Sequence, residues 1–198
     1  MTTDPKAPSA SVTDYASRLA EVLGGQDWSG VARLAVDLRD CWAGGRQLFI
    51  CGNGGSAANA VHLANDFLYP VSKVRGSGIR VTALAANPAI LTCIANDEGY
   101  EEVFAMQLAV QARAGDLLIV LSGSGNSPNI LKALEQAKTM SVKSYAIVGL
   151  SGGRAKVMAD VAIHVAGDDM QIAEDMQTIV GHAIMQWLFR NQPVAAGQ

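Results

Sequence analysis

The sequence predicts an α/β fold: a three-layer αβα sandwich on a five-stranded parallel sheet, with additional N-terminal helices. Three observations predict it. Short apolar runs read as buried strands at Gln47–Cys51, Ile79–Leu84, Leu117–Leu121, Ser144–Val148 and Val161–Val165. Stretches with helical apolar spacing separate them, and alternating strands and helices build parallel sheets covered on both faces. Glycine- and serine-rich turns follow the first and third runs, at the strand ends where such sheets bind ligands.

In chain order, residues 1–11 and 191–198 are rich in Pro, Ala, Ser and Gly and read as flexible tails around one domain at 12–190. Val12–Leu23 carries Tyr15, Leu19, Val22 and Leu23 on one helical stripe. Trp28–Trp42 repeats that spacing through Val31, Leu34, Ala35 and Leu38, and Gly44-Gly45 ends it. Between the strands, helices are expected at Ala57–Leu68, Ala89–Ala95, Tyr100–Gln111, Asn129–Met140 and Arg154–Met158. Ile172–Phe189 closes the chain.

The chain has 198 residues, 49% of them hydrophobic and 17% charged, with a net charge of −3. That composition suits one packed domain and offers no basic stripe, so nucleic acid is not an expected partner. The N-terminus lacks the apolar stretch of a secretory signal, and no run approaches the ~18 apolar residues of a membrane span. A cytoplasmic protein without membrane contact is expected. Cys41, Cys51 and Cys93 sit in apolar contexts without a close-spaced pair and read as buried thiols.

The two turns carry the chemistry. One reads Cys51-Gly52-Asn53-Gly54-Gly55-Ser56, the other Ser122-Gly123-Ser124-Gly125-Asn126-Ser127-Pro128. Glycines let backbone N–H groups approach a ligand, and the N-terminus of the following helix favours negative charge. No lysine follows either cluster, as a nucleotide-binding phosphate loop requires, and the dinucleotide G-x-G-x-x-G pattern fails at Pro128. The turns therefore suit a phosphate monoester and no nucleotide cofactor. Ser127 before Pro128 also reads as a helix cap, which leaves Ser122 and Ser124 unexplained.

The ordered set of the glycine turn, His62, Asn96-Asp97 and the serine turn resembles the SIS (sugar isomerase) domain family. Within it, the set is similar to the sedoheptulose-7-phosphate (phosphoheptose) isomerases, from about Tyr15 to Arg190. That resemblance implies a homotetramer with sites shared between subunits, often with zinc. It implies conversion of sedoheptulose 7-phosphate to D-glycero-D-manno-heptose 7-phosphate. Asn53, Gly54, Gly55, Ser56, Asn96, Asp97, Ser122, Ser124, Asn126, Ser127 and Glu174 are then the expected substrate contacts.

Aldose–ketose isomerisation needs a base at carbon and an acid or metal at the developing oxyanion. His62 and Asp66 are one helical turn apart, and Glu174, Thr178 and His182 climb one side of the last helix. By the resemblance, Asp66 and His182 are catalytic, and His62, Asp66, Glu174 and His182 form a zinc site. The family has Glu and Gln where this chain has Asp66 and Glu174, and Gly and Arg near Leu68-Tyr69-Pro70. These departures leave open a different phosphosugar. A non-catalytic SIS module is a further reading, which retention of both histidines and the acid disfavours. His164 matches no motif and reads as structural, and the segment 69–80 reads as a lid or subunit contact.

Overall fold

In a computed structural model that describes residues 8–193, five strands form one sheet in the order β2-β1-β3-β4-β5. They are β1 (Gln47–Gly52), β2 (Arg80–Ala83), β3 (Leu117–Ser122), β4 (Lys143–Val148) and β5 (Val161–His164). Every neighbouring pair is parallel, with Leu48 opposite both Val81 and Leu117. The expected αβα architecture is present, and the strand positions agree to within a residue or two.

Alternation along the strands sorts the core into two layers. Leu48, Ile50, Leu117, Ile119, Leu121, Tyr145 and Ile147 face α2 (Ser29–Ala43), α3 (Gly55–Leu68) and α8 (Met170–Arg190). Phe49, Cys51, Leu118, Val120, Ala146 and Val148 face α5 (Ala105–Gln111), α6 (Pro128–Thr139) and α7 (Ala155–Met158). Tyr145 is fully buried and its hydroxyl donates to Asp37 on α2, tying sheet to helix. Burial opposes ionisation of Asp37, but Lys143 and Tyr145 hold its carboxyl below the usual carboxylate range.

The first helix, α1 (Pro8–Gly25), begins inside the stretch expected to fray. It buries none of its residues fully; Tyr15, Leu19, Val22 and Leu23 pack against Ile172 and Met176. Tyr15 donates to Asp175 over 2.6 Å, which pushes the phenol up to about 12, and Arg18 pairs with Asp169. The rest of the expected N-terminal tail, residues 1–7, lies outside the described residues, as do residues 194–198.

Two expectations are corrected. Tyr100–Gln111 is not one helix: a 3-10 turn at Tyr100–Glu102 precedes α5. Val103 and Phe104 are both buried at the break, and Glu102 pairs with Lys132 on α6, so packing overrides the periodicity. Cys41 and Cys51 are buried, which raises both thiols, but Cys93 is exposed. It sits on α4 (Pro88–Asp97), a helix with no buried residue.

Candidate active site

The strand order reverses direction between β1 and β3, the topological switch where open parallel sheets bind ligands. The glycine turn leaves β1 there and the serine turn leaves β3. Two side chains join them: Asn53 Nδ2 donates to Asn129 Oδ1 at 2.9 Å, and Asn129 Nδ2 donates back to Asn53 Oδ1 at 2.8 Å. Tyr100 adds a donor to the same Asn53 oxygen at 3.1 Å.

The serine turn is shaped by its own hydroxyls. Ser122 Oγ accepts from the Gly125 N–H at 3.0 Å and Ser124 Oγ from the Asn126 N–H at 3.3 Å. Asn126 latches the turn to the β4–α7 connection, donating to the Ser124 carbonyl and accepting from the Arg154 N–H. Ser127 occupies the cap position of α6, yet its side chain makes no capping hydrogen bond. The hydroxyl that a cap would consume is thus available at a helix N-terminus, where an anion is favoured.

Further along their length, α3 and α8 bring three titratable side chains together. His62 Nε2 and His182 Nε2 are 2.8 Å apart, and Asp66 Oδ2 is 3.6 Å from the first and 3.4 Å from the second. Ligand atoms of all three lie within 4.8 Å of one another. Asp66 is mostly buried, with 10% side-chain exposure, whereas His62 and His182 are near half exposed. The carboxylate forms the floor of the cluster and the imidazoles its open side.

The other expected residues fall in different places. Glu174 is outside this cluster; its carboxylate packs directly over the Cα of Gly55, where any side chain would overlap it. Ser56 is buried and its hydroxyl accepts from Gln177 on α8, so it faces the helix pair. Gly54 and Gly55 are exposed at the start of α3. Asn96 and Asp97 form the exposed end of α4, bonded to each other at 2.8 Å. No hydrogen bond joins either to the cluster among the described residues.

Asn129, Gln177, Asn59 and Tyr100 were not singled out by sequence. Asn129 and Gln177 lie one helical step beyond recognisable motifs, and a buried amide has no signature before its partners are known. His164 Nε2 donates to the Leu150 carbonyl at 2.8 Å and Nδ1 accepts from Lys156 Nζ at 3.0 Å. The segment 69–80 is fastened: Val71 N–H donates to the Asp66 carbonyl, Ile79 N–H to the Phe67 carbonyl, and Trp42 to Ser77. Its exposed residues are Tyr69, Lys73–Gly76 and Arg80.

Comparison with known proteins places the chain in a family. The SIS domain family model matches residues 13–149. The chain is 38% identical over 179 residues to phosphoheptose isomerase of Akkermansia muciniphila, covering 90% of this chain and 92% of that one. It is 36% identical over 176 residues to the phosphoheptose isomerase of Chlorobaculum parvum, covering 87% and 83%. The solved phosphoheptose isomerase of Neisseria gonorrhoeae superposes with a TM-score of 0.84 at 26% identity, over 92% of this chain and 98% of that one. This chain belongs to the SIS-domain family, among its phosphoheptose isomerases.

Proposed function

We propose that this aldose–ketose isomerase interconverts sedoheptulose 7-phosphate and D-glycero-D-manno-heptose 7-phosphate at the His62–Asp66–His182 cluster. The observation that carries the reading is the convergence of two imidazoles and a carboxylate from helices far apart in sequence. The serine turn takes the phosphate through Ser124, Ser127 and backbone N–H groups, which fixes the far end of the sugar. The glycine turn, with Asn53 and Glu174, faces the sugar hydroxyls. Asp66 removes the proton from C1 of the ketose, giving an enediol. His182 protonates the C2 oxygen and then accepts the proton of the C1 hydroxyl, as Asp66 returns its proton to C2 and C1 becomes the carbonyl. Burial of Asp66 suits a base that must act without competing water.

The same three groups fit zinc, since two imidazoles and one carboxylate make a usual donor set and leave a position for substrate. Ligands on one tetrahedral ion with bonds of about 2.0–2.1 Å lie roughly 3.3 Å apart. The 3.4 and 3.6 Å separations from Asp66 match that, and the 2.8 Å between the histidines would open slightly. Such an ion supplies Lewis-acid stabilisation of the enediol oxygens. A homotetramer completes the reading: α4 packs Leu91 and Ile94 on the core, leaves Ile90 exposed, and ends in the exposed Asn96 and Asp97. No helix among the described residues is long and apolar enough to cross a membrane, which agrees with a cytoplasmic enzyme. Nothing in the reading calls for nucleic acid.

A specific observation favours testing other phosphosugars too: the shorter Asp66, and Pro70 in the region where the resemblance expects arginine. The test is aldose formation from sedoheptulose 7-phosphate by zinc-supplemented protein, with five- and six-carbon ketose phosphates in parallel. Conversion of the heptulose, falling by about 10²–10⁴ in His182→Ala, is the expected result. Faster conversion of a shorter sugar would reassign the substrate, and binding without turnover of any of them would make the chain a binding module.

A further inference from the structure

The contacts between α3 and α8 form a ladder in which both chains run the same way. Glu174 meets Gly55, Gln177 meets Ser56 and Asn59, Gly181 meets Leu63, and His182 meets His62 and Asp66. The middle rung is polar and buried. Gln177 is 1% exposed and both ends of its amide are used: Nε2 donates to Ser56 Oγ at 3.0 Å, and Oε1 accepts from Asn59 Nδ2 at 3.0 Å. Asn59 Nδ2 also reaches the Glu174 carbonyl at 3.0 Å. The next rung is apolar contact of Leu63 with the bare Cα of Gly181, which sets how near the helices come.

We propose that Gln177 is a positioning residue for the active site, fixing the axial register of α8 against α3 and with it the meeting of His182 with His62 and Asp66. The proposal rests on the assignment of those three groups as the reacting cluster. Sliding one helix by a single residue moves its side chains about 1.5 Å, and placement errors near 1 Å are enough to impair catalysis. Apolar packing has no directional preference that would resist such a slide, whereas a doubly bonded buried amide does. Gln177 itself touches neither substrate nor reacting atoms in this assignment.

The test compares wild type with Gln177→Met, which keeps length and apolar volume but removes both hydrogen bonds. Asn59→Ala removes the partner from the α3 side if the first variant folds poorly. Cobalt(II) serves as the probe ion, titrated by its visible absorption, alongside thermal melting and kcat and KM for the heptulose phosphate. Weaker cobalt binding by about 10–100-fold and a lower kcat are expected in either variant. A lower melting temperature with wild-type cobalt affinity and kcat would overturn the positioning role while leaving the site assignment standing. Wild-type protein that neither bound cobalt nor turned over would overturn both.

Discussion

The helix pair that carries the cluster and the helix that carries Asn96 and Asp97 differ in what covers them. Along α3 and α8, Leu63, Phe67, Met176, Val180 and Ile184 are buried within the chain, and the polar groups between them are paired. On α4 no residue is buried, despite a sequence as apolar as Pro88-Ala89-Ile90-Leu91. Nearby, Tyr100 is 56% exposed. One chain thus brings the three proposed reacting groups together by itself, whereas Asn96 and Asp97 stand exposed at the end of α4.

That contrast can be broken at its tightest point first. Gly181→Val would drive a branched side chain into Leu63 and separate α3 from α8. Overpacking of this kind costs about 1–3 kcal/mol, so melting should fall by several degrees. Activity should fall further than the stability loss explains, because His182 is the next residue. A melting shift with full kcat would show that the cluster tolerates separation.

On the other side, Ile90→Glu places a charge on the uncovered face. It should leave the melting of the isolated chain nearly unchanged but shift sedimentation toward smaller species, with KM raised. An unchanged sedimentation profile would remove α4 from any interface. A smaller effect is expected from Ser127→Ala, since that hydroxyl caps nothing. Stability should stay within about 0.5 kcal/mol while KM for the phosphosugar rises roughly tenfold. Lost stability at constant KM would return Ser127 to a capping role.

The same contrast explains what could be read beforehand. Strands such as Leu117–Leu121 are continuous apolar runs because both faces are covered, and their turns are marked by glycine, so sheet and ligand end were both legible. His62 and Asp66 were legible as a pair because helical spacing alone places them together. Their meeting with His182 depends on two helices joined across 120 positions, which periodicity does not encode. The placement of Glu174 over Gly55 follows from the same parallel ladder, since two turns of α8 separate it from His182. The break before α5 was hidden because Val103 and Phe104 satisfy a helical stripe and a tight turn equally well. Gln177 and Asn129 gave no signal because amides acquire meaning only from partners brought by the fold.

The central claim is that Asp66 is the base which moves the carbon-bound proton. The direct measurement is turnover of sedoheptulose 7-phosphate in deuterated water by wild type and by Asp66→Asn, with calorimetric binding of the sugar phosphate in both. Wild type should place solvent deuterium at C2 of the aldose. The variant should bind comparably but lose conversion and label incorporation by about 10²–10⁴. Conversion and labelling at the wild-type rate in the variant would contradict the account and move the base elsewhere.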